Sequence, residues 1–233
     1  MKATNWEFNH RALVFGLIFG VAFQLYFLDH QNATFAAANN LAGNLGMNGA
    51  SVARALFACA ALLVAVAALL RTWASAYLRA EVVYASDIKT ASLVADGPYR
   101  RVRNPLYFAN LLMAIGIGAM TSRIGFFVLT VGMVAFCYRL IMLEEAKLRA
   151  AQGEKYDEYH KAVPRFWPAL VPRVPSGQGQ ANWIQGLKAE SWYWGFAAAL
   201  AAFVITLRVR LFFLILGLSL AAFWLLGQRR SHN

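Results

Sequence analysis

The chain has little of what a soluble enzyme carries on its surface. Charged residues fill only 14% of its 233 positions while 60% are apolar, a balance that excludes an ordinary water-exposed domain. The two cysteines, Cys59 and Cys137, both sit in apolar stretches with no CxxC pair. They offer neither a disulfide framework nor a thiolate metal site and read as buried thiols. The four histidines, His10, His30, His160 and His232, are scattered without ligand spacing, so no metal is expected. Of only six prolines, four fall together as Pro164, Pro168, Pro172 and Pro175, which excludes helix there and predicts an extended, stiff segment. Acidic residues number 11 against 22 basic ones, for a net charge of +11.

What is abundant comes in long blocks. Six apolar stretches stand out: 12–28, 55–70, 106–120, 124–143, 192–207 and 211–226. Each is about 15–20 residues, near the lower edge of the roughly 17–25 that a spanning helix needs, and the second extends past Arg71 towards Leu78. The fold class predicted is all-α, a polytopic transmembrane bundle of about six spans. The first block lacks a small-x-small cleavage site and is interrupted by Gln24, Tyr26 and Phe27, so it reads as a retained helix. With both termini placed in the cytoplasm, seventeen basic residues, Arg79, Lys89, Arg229 and Arg230 among them, fall inside. Only Arg54, Arg123, Arg208 and Arg210 fall outside, and Arg139 lies within a span. That asymmetry is the positive-inside bias. The excess charge therefore records topology and attraction to anionic head groups rather than nucleic-acid binding.

Three regions follow: residues 1–80 with two spans, 81–175 as a core, and 176–233 as a linker with two more spans. The loop 29–52 is rich in Asn, Gly and Ala and holds no recognisable site beyond a formal Asn32-Ala33-Thr34 glycosylation sequon. Two long polar stretches, 71–104 and 144–191, face the cytoplasm. Between them Thr121-Ser122-Arg123 leaves barely a turn, so a helical hairpin brings both stretches to one membrane face. Tyr156, Tyr159 and Val163 share one face of a short amphipathic helix. Ser176-Gly177-Gln178-Gly179-Gln180 reads as a flexible linker, and the final two helices read as an appendage to a four-helix core.

The residues able to carry chemistry gather in the core. Asp96-Gly97-Pro98 is a turn signal, and Asn104-Pro105 fits a helix start with Asn as N-cap. Arg100, Arg101 and Arg103 serve as a positive-inside anchor or hold a carboxylate through paired hydrogen bonds. Glu145 stands four residues before Arg149 and Glu144 three before Lys147, in order for surface ion pairs. Adjacent carboxylates nevertheless point about 100° apart on a helix, so one turns inward and needs a cation, a cofactor ammonium or an arginine such as Arg139. Gly116 and Gly118 permit close helix packing; a GxG without a strand before it is no Rossmann signature.

In order, Gly97-Pro98-Tyr99-Arg100, Arg103-Asn104-Pro105-Leu106-Tyr107, an apolar span, Glu144-Glu145, Tyr156-x-x-Tyr159 and Val163-Pro164-Arg165-x-x-Pro168 resemble the isoprenylcysteine carboxyl methyltransferase and phospholipid methyltransferase families. The resemblance covers about 70 residues. It implies an integral-membrane enzyme that binds S-adenosylmethionine through Gly97, Pro98, Tyr99, Arg103, Asn104, Pro105, Tyr107, Gly116, Gly118, Glu144 and Glu145. Arg165, Glu144 and Tyr159 are the candidate catalytic residues. The acceptor expected is a lipid or lipidated group entering from the bilayer, either a prenyl-cysteine-type carboxylate or a phospholipid amine. A carboxylate needs no base; an amine does, with Glu144, Glu145 or Tyr159 as candidates. Asn104 departs from the histidine common at its position, and an amide cannot titrate. An NADPH-dependent sterol or enone reductase and a non-catalytic scaffold are the alternatives.

Overall fold

A computed structural model describes the backbone of residues 2–78 and 94–231, and the side chains to Leu225. Arg79, Lys89, Leu226, Arg229 and Arg230, used in the topology argument, lie outside the described side chains, as does His232. Among the described residues the secondary structure is helical, with one isolated bridge between Asn32 and Ser122. Two helices, Gly49–Tyr77 and Arg123–Gln152, are long and apolar enough to cross a membrane, and only 39% and 33% of their most apolar stretches is buried. A core helix of a soluble protein would be mostly covered. Along the second helix Ile124, Phe127, Val131, Val134 and Tyr138 are exposed at three- and four-residue intervals, opposite buried Leu129, Met133, Phe136 and Leu140. Apolar faces both inward and outward are what a lipid solvent selects. The remaining apolar helices, Arg11–Phe27, Pro105–Gly118, Ser191–Thr206 and Val209–Leu225, are shorter.

The chain forms two compact units. One comprises Met1–Ile18, Leu69–Leu111 and Val131–Ala189; the other comprises Phe19–Ala68, Leu112–Thr130 and Glu190–Asn233. In the second unit the loop read as featureless holds the helix Ala33–Leu45, capped by the Asn32 side chain on the Phe35 N–H and closed by Gly46 at φ 64°. Its apolar residues are mostly alanines interrupted by asparagines, which hid it, yet Ala38 and Ala42 bury a small-residue face against Val52 and Ala53. Asn32 is no free sequon: its amide donates to the Tyr26 hydroxyl and to the carbonyls of Ala119 and Thr121. The C-terminal helices are no appendage either. Phe203 meets Phe57 edge-on at 4.9 Å, and Phe213 meets Phe23 at 6.3 Å, all within this unit.

Asp29 and Arg123 close the same unit, the guanidinium lying 3.0 Å from the carboxylate. Hydrogen bonding to Arg123, opposed by burial, holds the Asp29 carboxyl at about 2. A folded value below the unfolded one of about 3.9 means the pair stabilises the protein above that pH and is lost as pH falls towards 2. Asp29→Asn is expected to flatten the dependence of the unfolding midpoint on pH between about 4 and 2. Thermal unfolding in detergent measures it, and parallel curves for both proteins would contradict the assignment.

Candidate functional site

The first unit gathers the two polar stretches. Gly97–Arg100 forms a 3-10 turn after Asp96. Gly97 sits at φ 57°, and a Cβ there would come within 2.4 Å of the Tyr77 ring, so only glycine fits both the backbone and the space. The helix Arg123–Gln152 stops at Gly153, φ 56°, and the chain folds back as the helix Glu154–Ala162. Tyr156, Tyr159 and Val163 form its buried face with Ala95, Leu148 and Val174 against them, as their spacing predicts. The Tyr159 hydroxyl donates to the Tyr99 carbonyl at 2.8 Å, which ties this helix to the turn. Burial pushes the Tyr156 and Tyr159 phenols well above their ordinary values, so both stay protonated at neutral pH.

Glu145 is the hub. Its Oε1 accepts from Arg103 Nε at 3.1 Å and Asn104 Nδ2 at 3.0 Å, and its Oε2 accepts from Arg165 Nε at 3.0 Å. Arg103 and Glu145 side chains are 6% and 8% exposed, whereas Arg165 is 33% exposed. Arg103 also donates to the carbonyls of His160 and Val163. His160 Nε2 stands 3.9 Å from Glu145, where burial first and the Arg103 charge next push the imidazole below its ordinary value and keep it neutral at pH 7. The bonds are charge-assisted, and one carboxylate offsets only one of the two guanidinium charges, which leaves the cluster net positive. The pair Glu145–Arg149 read from spacing does not form this hub; Arg149 pairs with Asp157.

Glu144 turns to a different partner. Tyr107 donates its hydroxyl to Glu144 Oε1 at 2.6 Å, and Glu144 is half-buried. Arg139, considered as its counter-charge, pairs instead with Glu7 at 2.7 Å, from the N-terminal helix Asn5–Asn9. The Asn104 side chain makes donated bonds to Glu145 and to the Arg165 carbonyl at 3.0 Å. An N–H donor is what Glu145 needs there, and an amide supplies one as well as a neutral imidazole would. Pro105 opens the helix Pro105–Gly118; Pro98 is buried within the turn. Phe108 packs edge-on to Phe166 and Trp167 at 5.4 and 5.8 Å, which seats the Val163–Pro168 segment on that helix.

Gly97, Pro98, Tyr99, Arg103, Asn104, Pro105, Tyr107, Glu144, Glu145, Tyr159 and Arg165 thus belong to one unit. Gly116 and Gly118 belong to the other. A Cβ on Gly116 would lie 2.5 Å from Val64 Cγ2 and 2.8 Å from the Ala60 carbonyl oxygen, and one on Gly118 would lie 2.8 Å from the Phe126 ring. Both are positions of close helix contact. That unit also holds an open cleft of about 740 Å³ lined by residues including Asn39, Leu56, Ile115, Phe126 and Cys59, whose thiol is exposed where its apolar stretch predicts a buried one, whereas Cys137 is buried. Sequence reading missed Asp96 and His160 as parts of the assembly. Asp96 was legible only as a turn former, although it is a lone acid beside three arginines. Among the described residues no group of three or more His, Cys, Asp or Glu is placed to hold a metal ion.

Residues 55–155 match the profile of the phospholipid methyltransferase family, one of the two families that the ordered motifs resemble. The chain is 27% identical over 177 residues to the cobalt-zinc-cadmium resistance protein CzcN of Cupriavidus metallidurans, covering 73% of this chain and 77% of that protein. It is 30% identical over 119 residues to the nickel-cobalt-cadmium resistance protein NccN of Alcaligenes xylosoxydans xylosoxydans, covering 51% and 53%. No solved structure matches it significantly.

Proposed function

We propose that this chain, matched to the phospholipid methyltransferase family over residues 55–155, is a six-span membrane methyltransferase. It uses S-adenosylmethionine to methylate a lipid-like acceptor. The observation that carries the reading is the convergence on Glu145 of Arg103 and Asn104 from the basic turn and Arg165 from the Val163–Pro168 segment. The donor set suits that cofactor. Its methionyl end is a zwitterion beside a sulfonium, so it calls for carboxylates and guanidinium groups together, and Glu144, Glu145, Arg103 and Arg165 supply both.

When bound, S-adenosylmethionine supplies an electrophilic methyl group. Everything else falls to the chain. The turn 97–107 and the Glu144–Glu145 pair hold the cofactor's charged end and fix its direction, and alignment of donor with acceptor is worth roughly 7–11 kcal/mol. Glu144 faces the acceptor and takes the proton from an amine; a carboxylate acceptor needs only orientation. Tyr107 holds Glu144 in place, and Tyr159 holds the turn through Tyr99. Arg165, a third exposed while bonded to Glu145, presents its free edge to an anionic head group at the interface. Residues 81–175 act as the methyltransferase core.

The deciding experiment is methyl transfer from labelled cofactor to a total lipid extract and to a prenyl-cysteine analogue. Incorporation into either supports the reading; preference for a water-soluble small molecule contradicts it. The resemblance to two metal resistance proteins favours metal stress as the setting in which the lipid product matters. Growth of a deletion strain on cobalt or cadmium, with and without the gene restored, tests that setting.

Topology makes a separate prediction. With both termini cytoplasmic, single cysteines placed at residues 176–180 in a Cys59→Ser, Cys137→Ser background react with an impermeant maleimide only in inside-out vesicles. Reaction from the outer face would contradict the six-span arrangement and the placement of the cofactor.

A further inference from the structure

The stretch after the Glu154–Ala162 helix runs back along the basic turn in a regular order. The Arg103 N–H donates to the Pro164 carbonyl, Ala169 donates to Arg101, and Arg173 donates to Arg100, at 2.9, 2.9 and 2.7 Å. Arg100 Nε then donates to the Val174 carbonyl at 2.9 Å. As the strap advances from 164 to 174 its partners step down from 103 to 100. Four prolines within Pro164–Pro175 have no N–H to contribute, so few backbone ties are available. The last tie in the series is a side chain, Asp96.

Asp96 is buried and grips the strap's end with both oxygens. Its Oδ1 accepts from the Ser176 hydroxyl and the Gly177 N–H, each at 2.8 Å, and its Oδ2 accepts from the Gly179 N–H at 3.0 Å. Gln178 between them is held at φ 63°, a left-handed conformation unusual for a side-chain-bearing residue. That turn makes the flanking N–H groups converge into a small anion-receiving nest, and its anion is the Asp96 carboxylate. A Cβ on Gly177 or Gly179 would lie 2.9 or 2.7 Å from Oδ2, so glycine at both is what lets the carboxylate in. Burial raises the Asp96 carboxyl, but the bonds from Ser176, Gly179 and Gly177 outweigh it and bring it below its ordinary value. The segment read from composition as a flexible linker is fastened.

We infer that Asp96 is a positioning residue: its carboxylate clasps the Ser176–Gly179 nest and so holds the Pro164–Val174 strap, with Arg165 on it, closed over the cofactor-binding turn. The inference rests on the methyltransferase reading only for what the strap encloses; the clasp itself is independent of it. Opening the clasp frees the strap's C-terminal end, weakens the seat of Arg165 against Glu145 and speeds cofactor loss, while Glu144, held by Tyr107 off the strap, stays where it is.

The test uses the full chain in detergent and three variants. Asp96→Ala removes every bond of the clasp. Asp96→Asn keeps an acceptor for Ser176 and Gly177 but turns an N–H₂ towards the Gly179 N–H. Gly179→Ala leaves Asp96 in place and pushes it out with a methyl group. Hydrogen exchange at the amides of residues 177 and 179, measured without cofactor, is expected to speed up in all three, most in Asp96→Ala. The Michaelis constant for S-adenosylmethionine is expected to rise about tenfold in Asp96→Ala, the scale of lost charge-assisted hydrogen bonds, with little change in kcat. Asp96→Asn and Gly179→Ala should fall between it and the wild type. Unchanged exchange overturns the clasp. Faster exchange with an unchanged Michaelis constant overturns its role for the cofactor. A wild-type protein that fails to bind S-adenosylmethionine overturns the methyltransferase reading instead, whatever the exchange data say of the clasp.

Discussion

Replacing Glu145 by Gln is expected to cost about 3–5 kcal/mol of stability, the range for removing one member of a buried ion pair. Arg103, 6% exposed, would keep its charge inside the protein with the neutral carbonyls of His160 and Val163 as its acceptors. Arg165 contributes less to the loss, because a third of its side chain reaches solvent and water compensates it. Unfolding in detergent followed by tryptophan fluorescence measures the change. Glu144→Gln is the comparison: its partner is the neutral Tyr107 hydroxyl, so no buried cation is stranded through that bond, and about 1–2 kcal/mol is expected. Equal losses for the two variants would contradict the assignment of Glu145 as hub. The same contrast carries to binding, since Glu145 fixes the turn from which the cofactor contacts come.

Gly116→Ala is expected to destabilise by about 1–3 kcal/mol through overpacking. The added methyl group would meet Val64 Cγ2 and, more seriously, the Ala60 backbone oxygen, which cannot swing aside as a side chain does. Gly118→Ala should cost less, since its neighbour is the Phe126 ring edge. Cofactor affinity of the folded Gly116→Ala protein distinguishes packing from direct binding. Unaltered affinity assigns the position to helix packing; a loss of affinity with stability retained would return the Gly-x-Gly pair to the cofactor site.

The apolar middles of the helices were legible because long apolar stretches announce themselves in composition alone, but Gly49–Tyr77 starts six residues before the stretch 55–70 and Arg123–Gln152 runs nine residues past the stretch 124–143, where polar residues continue the helix. The sequence also made the Tyr156, Tyr159, Val163 face legible, since that face depends on helical spacing and nothing distant. The helix Ala33–Leu45 escaped because it is rich in Ala and Asn and its buried face is made of the small residues Thr34, Ala38 and Ala42. Partners were harder to read than elements. Spacing along one helix offered Glu145 to Arg149 and Glu144 to Lys147, whereas the fold brings in Arg103 and Arg165, 42 and 20 residues away. Local pairs are the ones a sequence displays, and a buried carboxylate is satisfied by whatever cation the tertiary fold delivers. The same blindness hid Asp96, whose partners lie 80 to 83 residues downstream.

The most direct measurement is equilibrium binding of S-adenosylmethionine and of NADPH, in separate titrations, to the purified protein in detergent, repeated with Glu145→Gln after its fold is verified. Saturable binding of S-adenosylmethionine by the wild type, no binding of NADPH, and a loss of at least about tenfold in affinity in the variant are expected. Binding of NADPH in place of S-adenosylmethionine, or of neither by a folded wild-type protein, would contradict the methyltransferase reading.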